Sequence, residues 1–217
     1  MRAEKIGIIA MGSHRERHGS ALPEDTDAKL ASHVALEAAK RTGAKFLGVI
    51  YSSHELPHID TGIHCPLDDV AAELAERLSR AKEALGIRAA VIVNGHGGNN
   101  PLAEMISEIG RTVGMKLRFN ARIIELEGPH AGTGEVSMGA AAGIARREGL
   151  KDHCNFSKHP EVGFVGLKEA RKAYSWAEEH AREVERRGVR IEMRRGLRML
   201  EEAIGSVVRD VDVLAGG

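Results

Sequence analysis

The chain reads as an α/β fold, three layers deep, with a mostly parallel central sheet between helices, and two features of its 217 residues predict this. Short runs rich in Val, Ile and Ala alternate with longer stretches of helical period, the pattern of successive strand–helix–strand units. Polar stretches rich in His, Asp, Glu and Asn each follow an apolar run, so the topology gathers them at one sheet edge, where open α/β folds take their ligands.

The elements follow in order. Strands are predicted at residues 6–10, 46–50, 89–93 and 121–126, each a short apolar or β-branched run, and helices at residues 28–41, 67–85 and 101–113, where apolar positions recur every three or four. After Gly163, the series Leu167, Ala170, Tyr174, Ala177, Ala181, Val184 and the series Met193, Leu197, Leu200, Ile204, Val207, Val211, Leu214 each read as an amphipathic helix. Both are expected to cover the sheet, the last one with a subunit contact as the alternative.

A chain of this length is expected to form one domain over residues 1–217. Lys plus Arg total 31 and Asp plus Glu total 31, so no net field favours nucleic acid or a membrane surface. Cys65 and Cys154 lack metal-ribbon or disulfide-framework spacing, and the first apolar run is too short for a signal or a span, so a cytoplasmic protein is expected.

Chemistry concentrates in three stretches. Glu16 and His18 lie two apart, so in an extended segment both project to one side, and Asp27 sits where the next helix begins. Taken singly, Asp27 serves equally as a helix cap and Glu16 as a solvated charge. Their joint occurrence with His96, enclosed by Gly95, Gly97 and Gly98 after an independent strand, points to metal ligation. Asn94-Gly95-His96-Gly97-Gly98-Asn99 has neither the dinucleotide-loop glycine spacing nor a phosphate-loop lysine. Imidazole and carboxylate ligands without thiolate suit zinc, iron(II), manganese or cobalt, and one carboxylate can bridge two ions. Such a centre makes hydroxide available near neutral pH, which suits hydrolysis of an amide-like bond. His130 and Glu135, joined by the flexible Ala131-Gly132-Thr133-Gly134, supply groups for proton handling, the alternative for Glu135 being a charge in the first turn of its helix. His54, Glu55, Asn94 and Asn99 are candidates for the substrate pocket, with surface-loop roles as the alternative for the first two; His58 and His64 carry a weaker signal. His33, His153, His159 and His180 read as structural or exposed.

Gly12-Ser13, Glu16, His18-Gly19, Leu22-Pro23 and Asp27, then Asn94 to Asn99, then His130-Ala131-Gly132 and Glu135-Val136-Ser137, together resemble the creatininase, or creatinine amidohydrolase, family over nearly the whole chain. Leu22 to Asp27, Gly43 to Val49 and His58 to His64 make it most similar to a deformylase branch of that family. The resemblance implies a creatininase-like fold and Glu16, His18, Asp27 and His96 as metal ligands, with Asp27 bridging if two ions bind. It implies His130 and Glu135 as catalytic groups, Fe(II) as the favoured metal with zinc or manganese as alternatives, and a homo-oligomer. The implied reaction releases formate from a formylamino-pyrimidine ribonucleotide, in archaeal riboflavin and deazaflavin biosynthesis. Its phosphate would need cations such as Arg15, Arg17 or Lys29, or a helix N-terminus. Two departures stand out. Creatininase carries a carboxylate two residues after the histidine matching His96, where this chain has Gly98, leaving Glu135 or water to substitute; and the aromatic frame around creatinine has no evident counterpart, since Trp176 falls in a predicted helix. Other readings are a family amidohydrolase acting on a cyclic amide or peptide, a metal-dependent sugar-phosphate lyase or isomerase, and a binding module with a structural metal.

Overall fold

A computed structural model describes residues 1–216. Four strands, β1 (Ile6–Met11), β2 (Lys45–Ile50), β3 (Ala89–Asn94) and β4 (Lys116–Asn120), form one sheet in the order β2-β1-β3-β4. Every pairing is parallel. The helices are α1 (Thr26–Thr42), α2 (Leu67–Leu85), α3 (Leu102–Val113), α4 (Arg122–Glu127), α5 (Thr133–Ala141), α6 (Leu150–His153), α7 (Lys168–Ala173), α8 (Ser175–Arg187) and α9 (Met193–Gly216). None is long and apolar enough to cross a membrane.

Alternation along the strands builds the three layers. Ile6, Ile8 and Ala10 of β1, with Ala89, Val91 and Val93 of β3, pack under α1 and α9. Ile9, Met11, Ala90 and Ile92 point the other way and are covered by α2 and α3. Met199, Leu200, Ala203, Ile204, Val207 and Val211 of α9 all lie in the first of these cores, so this helix covers the sheet as expected.

Two expectations are corrected. The fourth strand is Lys116–Asn120, and residues 121–126 enter α4 instead. At a sheet edge only one neighbour is needed, so Lys116-Leu117-Arg118-Phe119-Asn120 tolerates alternating charges that look like loop, while the apolar run after it turns Ile123 into the core as a helix. The region after Gly163 is also broken: Tyr174, extended at φ −129° and ψ 120°, separates α7 from α8.

The chain leaves β1 toward β2 on one side and places β3 on the other, which opens a crevice between the carboxyl ends of β1 and β3. The first turn of α1 seats directly on this edge. It can do so because Gly12 and Gly95 end the two strands: a Cβ on Gly12 would lie 2.6 Å from the Asp27 carbonyl carbon, and one on Gly95 2.4 Å from its oxygen.

Candidate metal centre

Four side chains from three separate segments meet at this crevice. Glu16 and His18 come from the loop after β1, Asp27 from the first turn of α1, and His96 from the loop after β3; all four are buried. Asp27 is not a helix cap, since it lies inside α1 and uses both carboxylate oxygens across the centre. Its Oδ1 lies 2.9 Å from His18 Nε2 and its Oδ2 2.9 Å from His96 Nδ1. Glu135, in the first turn of α5, puts Oε1 3.2 Å from His18 Nε2, and Glu16 puts Oε2 2.8 Å from His96 Nδ1.

The backbone fixes which nitrogen of each ring faces inward. His18 Nδ1–H donates to the Glu16 carbonyl at 2.9 Å, and His96 Nε2–H donates to the His54 carbonyl at 2.7 Å. In each neutral ring the remaining nitrogen is a lone pair aimed at two carboxylate oxygens. Only a proton or a cation placed between them relieves that arrangement. Glu16 Oε2 and Glu135 Oε1, both buried, have no hydrogen-bond donor. Without an ion, protons fill the role. Burial opposes charge on both rings, yet Glu135 and Asp27 hold His18, and Glu16 and Asp27 hold His96, well above the ordinary imidazole value. Burial also pushes Asp27 up, helped by the like charge of Glu16; burial opposes the charge on Glu16 too, but His96, His130 and His18 together hold it well below the ordinary carboxylate range. Ring N–H groups tied to backbone carbonyls and opposite lone pairs aimed at carboxylates are what a histidine-carboxylate cation site requires. His18, Asp27 and Glu135 lie close enough together to share one cation; Glu16, Glu55, His64 and His96 form a second set of neighbouring donors, and Asp27 Oδ2 reaches His96 in it.

A cleft of about 670 Å³ opens beside this centre, lined by Glu16, Asp27, Glu55, His96 and His130. His130 Nε2–H donates to the Arg17 carbonyl at 2.8 Å, so Nδ1 is its free nitrogen, 3.8 Å from Glu16 Oε1. An aromatic series runs outward from it: His130 stacks on Phe164 (centroids 5.4 Å apart, planes 22°), and Trp176 meets Phe164 edge-on at 5.5 Å. Trp176, from the first turn of α8, therefore lines the cleft together with Phe164 and His180, which corrects the expectation of no aromatic frame.

Several other expected residues take different places. Asn94 and Asn99 are fully buried away from the cleft lining. Asn94 Nδ2 donates to the His96 carbonyl and Oδ1 accepts from the His96 amide, while Asn99 Oδ1 accepts from the His54 amide. They shape the His96 loop instead of facing substrate. Glu55 lines the cleft, but His54 does not; its Nδ1–H donates to the Cys65 carbonyl. Glu135 and His18 lie behind the cleft lining. Arg15, Arg17 and Lys29 are also outside it, Lys29 paired with Asp25 and Arg17 near Asp60 and Glu161.

Position 98 has no room for the carboxylate that creatininase carries there: a Cβ would sit 2.2 Å from the His54 carbonyl oxygen and 2.8 Å from Glu55 Oε1. Glu127, at the end of α4, is a cleft residue with no signal in the sequence, because the apolar run of α4 reads as a strand that stops short of it. Burial, with the nearby Glu135 and Asp27 charges, pushes its carboxyl well above the ordinary value.

Comparison with known proteins bears on this geometry. The chain is 50% identical over 211 residues, 97% of its own length and 89% of the relative's, to a Methanothermobacter thermautotrophicus protein named 2-amino-5-formylamino-6-ribosylaminopyrimidin-4(3H)-one 5'-monophosphate deformylase. A Methanosphaera stadtmanae protein of the same name is 49% identical over 96% of this chain and 90% of that one. Among solved structures, a creatinine amidohydrolase (creatininase) superposes with a TM-score of 0.69 over 96% of this chain and 89% of that one at 15% identity, which shows the shared fold. Another, described as "Creatininase Mn", covers 66% of this chain and 68% of that one with a TM-score of 0.54 at 17% identity. A family model described as Creatininase, creatinine amidohydrolase, matches residues 1–186, and with these relatives it shows that the chain belongs to the creatininase family.

Proposed function

We propose that the protein is a metal-dependent deformylase that hydrolyses the formamide of 2-amino-5-formylamino-6-ribosylaminopyrimidin-4(3H)-one 5'-monophosphate, the compound in the names of relatives up to 50% identical over nearly its whole length. The observation that carries the hydrolytic reading is the pair of imidazole lone pairs, from His18 and His96, each aimed at two carboxylate oxygens with Asp27 shared. Glu16, Asp27 and His96 would hold one divalent cation and His18, Asp27 and Glu135 a second. That assignment makes Glu135 a ligand, in keeping with its place behind the cleft lining. The cations supply Lewis-acid polarisation of the carbonyl and a water activated at neutral pH. Iron(II) is the proposed native metal.

The chain's own groups then account for the proton. Water adds to the formyl carbon, the bond from that carbon to the exocyclic formylamino nitrogen breaks, and that nitrogen gains the proton that water loses, leaving a free amine and formic acid, which ionises to formate. His130 Nε2–H is committed to the Arg17 carbonyl, which leaves Nδ1, beside Glu16 Oε1, to take the proton from water and return it to the leaving nitrogen. Phe164 and Trp176 offer an apolar face to the pyrimidine, and the cleft volume lies within the usual range for a ligand of nucleotide size. Glu55, with Oε1 accepting from the Leu56 amide at 2.7 Å and Oε2 from the Thr61 hydroxyl at 3.3 Å, is held rigidly at the cleft surface and serves substrate orientation.

The test is formate release from the formylaminopyrimidine nucleotide by anaerobically purified, Fe(II)-loaded protein, beside a panel of cyclic amides and peptides. Stoichiometric formate and amine are expected. Turnover of another amide without formate would overturn the substrate, and loss of fold on His96→Ala without any turnover by the native protein would indicate a structural metal instead.

A further inference from the structure

Two buried groups left unused by this chemistry lie in the segment after α5. His153, at the end of α6, and Glu161 are 0% and 1% exposed. The Ala21 amide donates to His153 Nδ1 at 3.1 Å, and His153 Nε2–H donates to the Ala131 carbonyl at 2.8 Å. One neutral ring in one tautomer thus bridges the loop that carries Glu16 and His18 to the turn that carries His130. Glu161 adds to the same clamp: its Oε1 accepts from the Gly19 amide at 2.8 Å, and its Oε2 lies 3.9 Å from Arg17 Nε.

Backbone strain shows what the clamp is for. Ala131 sits at φ 50°, in the left-handed region that residues with a Cβ rarely adopt, and it directly follows His130. Three hydrogen bonds hold it there: its amide donates to Glu135 Oε2 at 2.6 Å, its carbonyl accepts from His153, and the adjacent His130 carbonyl accepts from the Gly163 amide at 2.7 Å. On the other loop Gly19 is left-handed too, at φ 66°, and a Cβ there would fall 2.4 Å from the His153 ring. The imidazole therefore packs flat against one bend and pins the other.

We propose that His153, assisted by Glu161, is a positioning residue that sets the spacing of His18 and His130 by clamping the bends at Gly19 and Ala131. The inference rests on the metal-centre reading, because it assigns the clamp its purpose; it goes beyond that reading in naming residues that touch neither ion nor substrate.

Three variants test it, read out with Co(II) as the probe: His153→Phe, which keeps a ring without nitrogens; His153→Asn, which keeps an acceptor near Nδ1; and His153→Gln, which keeps a donor near Nε2. The measurements are Co(II) affinity, the visible absorption of the Co(II)-loaded protein, and kcat and KM for formate release. In His153→Phe, Co(II) affinity is expected to fall about tenfold with an altered absorption band, and kcat to fall about tenfold with KM nearly unchanged. Each amide variant should recover part of the loss. Folded variants whose Co(II) affinity, band and kcat all match the native protein would overturn the proposal and leave His153 a purely structural group. If His153→Phe does not fold, the Asn and Gln variants decide the matter by the same readouts, a partial loss supporting the clamp and native values overturning it. A native protein that binds no Co(II) would instead overturn the metal-centre reading, and this inference with it.

Discussion

The His96 loop is fixed by its own neighbours, whereas the backbone beyond His18 and His130 is also tied by a histidine 132 residues from Ala21 and 22 from Ala131. On the β3 side, Asn94 ties down the amide and the carbonyl of His96, and Asn99 fixes the His54 backbone that receives the His96 ring. Everything needed lies within a few residues of one motif and one adjoining loop. On the β1 side, one direct bond, from His130 Nε2–H to the Arg17 carbonyl, joins the ligand loop to the His130 turn, and the segment between α5 and α7 adds a second tie through His153. The contrast implies that the loop carrying His96 is set once β3 and the His54 loop are in place, while the spacing of the His18 loop and the His130 turn also draws on the packing of a late, largely irregular segment. Asp27 joins the halves, giving one oxygen to each.

The largest expected effect breaks both halves together. Asp27→Asn keeps the shape but removes the shared charge, and formate release should fall by roughly a thousandfold or more, about 4 kcal/mol of barrier, with metal content reduced at both positions. Steady-state kinetics and elemental analysis of the same preparation check this. A variant that loses one ion only would show that the halves are independent.

Asn94→Ala acts on one half. It leaves the buried His96 amide without its acceptor and takes one of two donors from the His96 carbonyl, which keeps the Asn99 amide; this should cost about 2 kcal/mol of stability, read by denaturant unfolding, and weaken only the His96 position. Trp176→Ala, beyond both halves on the cleft wall, should raise KM about fivefold, ~1 kcal/mol, and leave kcat nearly unchanged.

The smallest effect concerns pH. Burial holds His153 below the ordinary imidazole value of 6.5, so the folded state binds its proton less readily than the unfolded chain does. Its stabilisation is complete above pH 6.5 and is lost as the pH falls from there toward the folded value. The unfolding free energy of the ion-free native protein, minus that of His153→Phe, should therefore fall as the pH is lowered from 6.5 toward the folded value.

How much of this was legible in the sequence follows the same division. Glu16, His18, Asp27 and His96, four of the five proposed ligands, lie in short motifs after apolar runs, and a parallel sheet must bring such motifs to one edge, so their convergence could be anticipated from their joint occurrence. Asn94 and Asn99 were visible as polar residues beside His96, but their side chains point into the loop; the sequence carries the residue type and not the direction. Residues 121–126 misled because an apolar run of that length suits a buried strand or a buried helix equally, and the true edge strand before it is charged at Lys116 and Arg118. Trp176 and Phe164 were illegible as a pair, since nothing in their separation ties a helix start to a short turn. The clamp of His153 and Glu161 depends on tertiary packing across more than a hundred residues, beyond the reach of any local pattern.

The central claim is that the two inward-facing imidazole nitrogens mark two cation positions sharing Asp27. Anomalous scattering from crystals of the Co(II)-loaded protein tests it most directly. Two peaks are predicted, one among His18 Nε2, Asp27 Oδ1 and Glu135 Oε1 and the other among His96 Nδ1, Asp27 Oδ2 and Glu16 Oε2. Peaks elsewhere, or these six atoms still paired with each other and no peak between them, would contradict it.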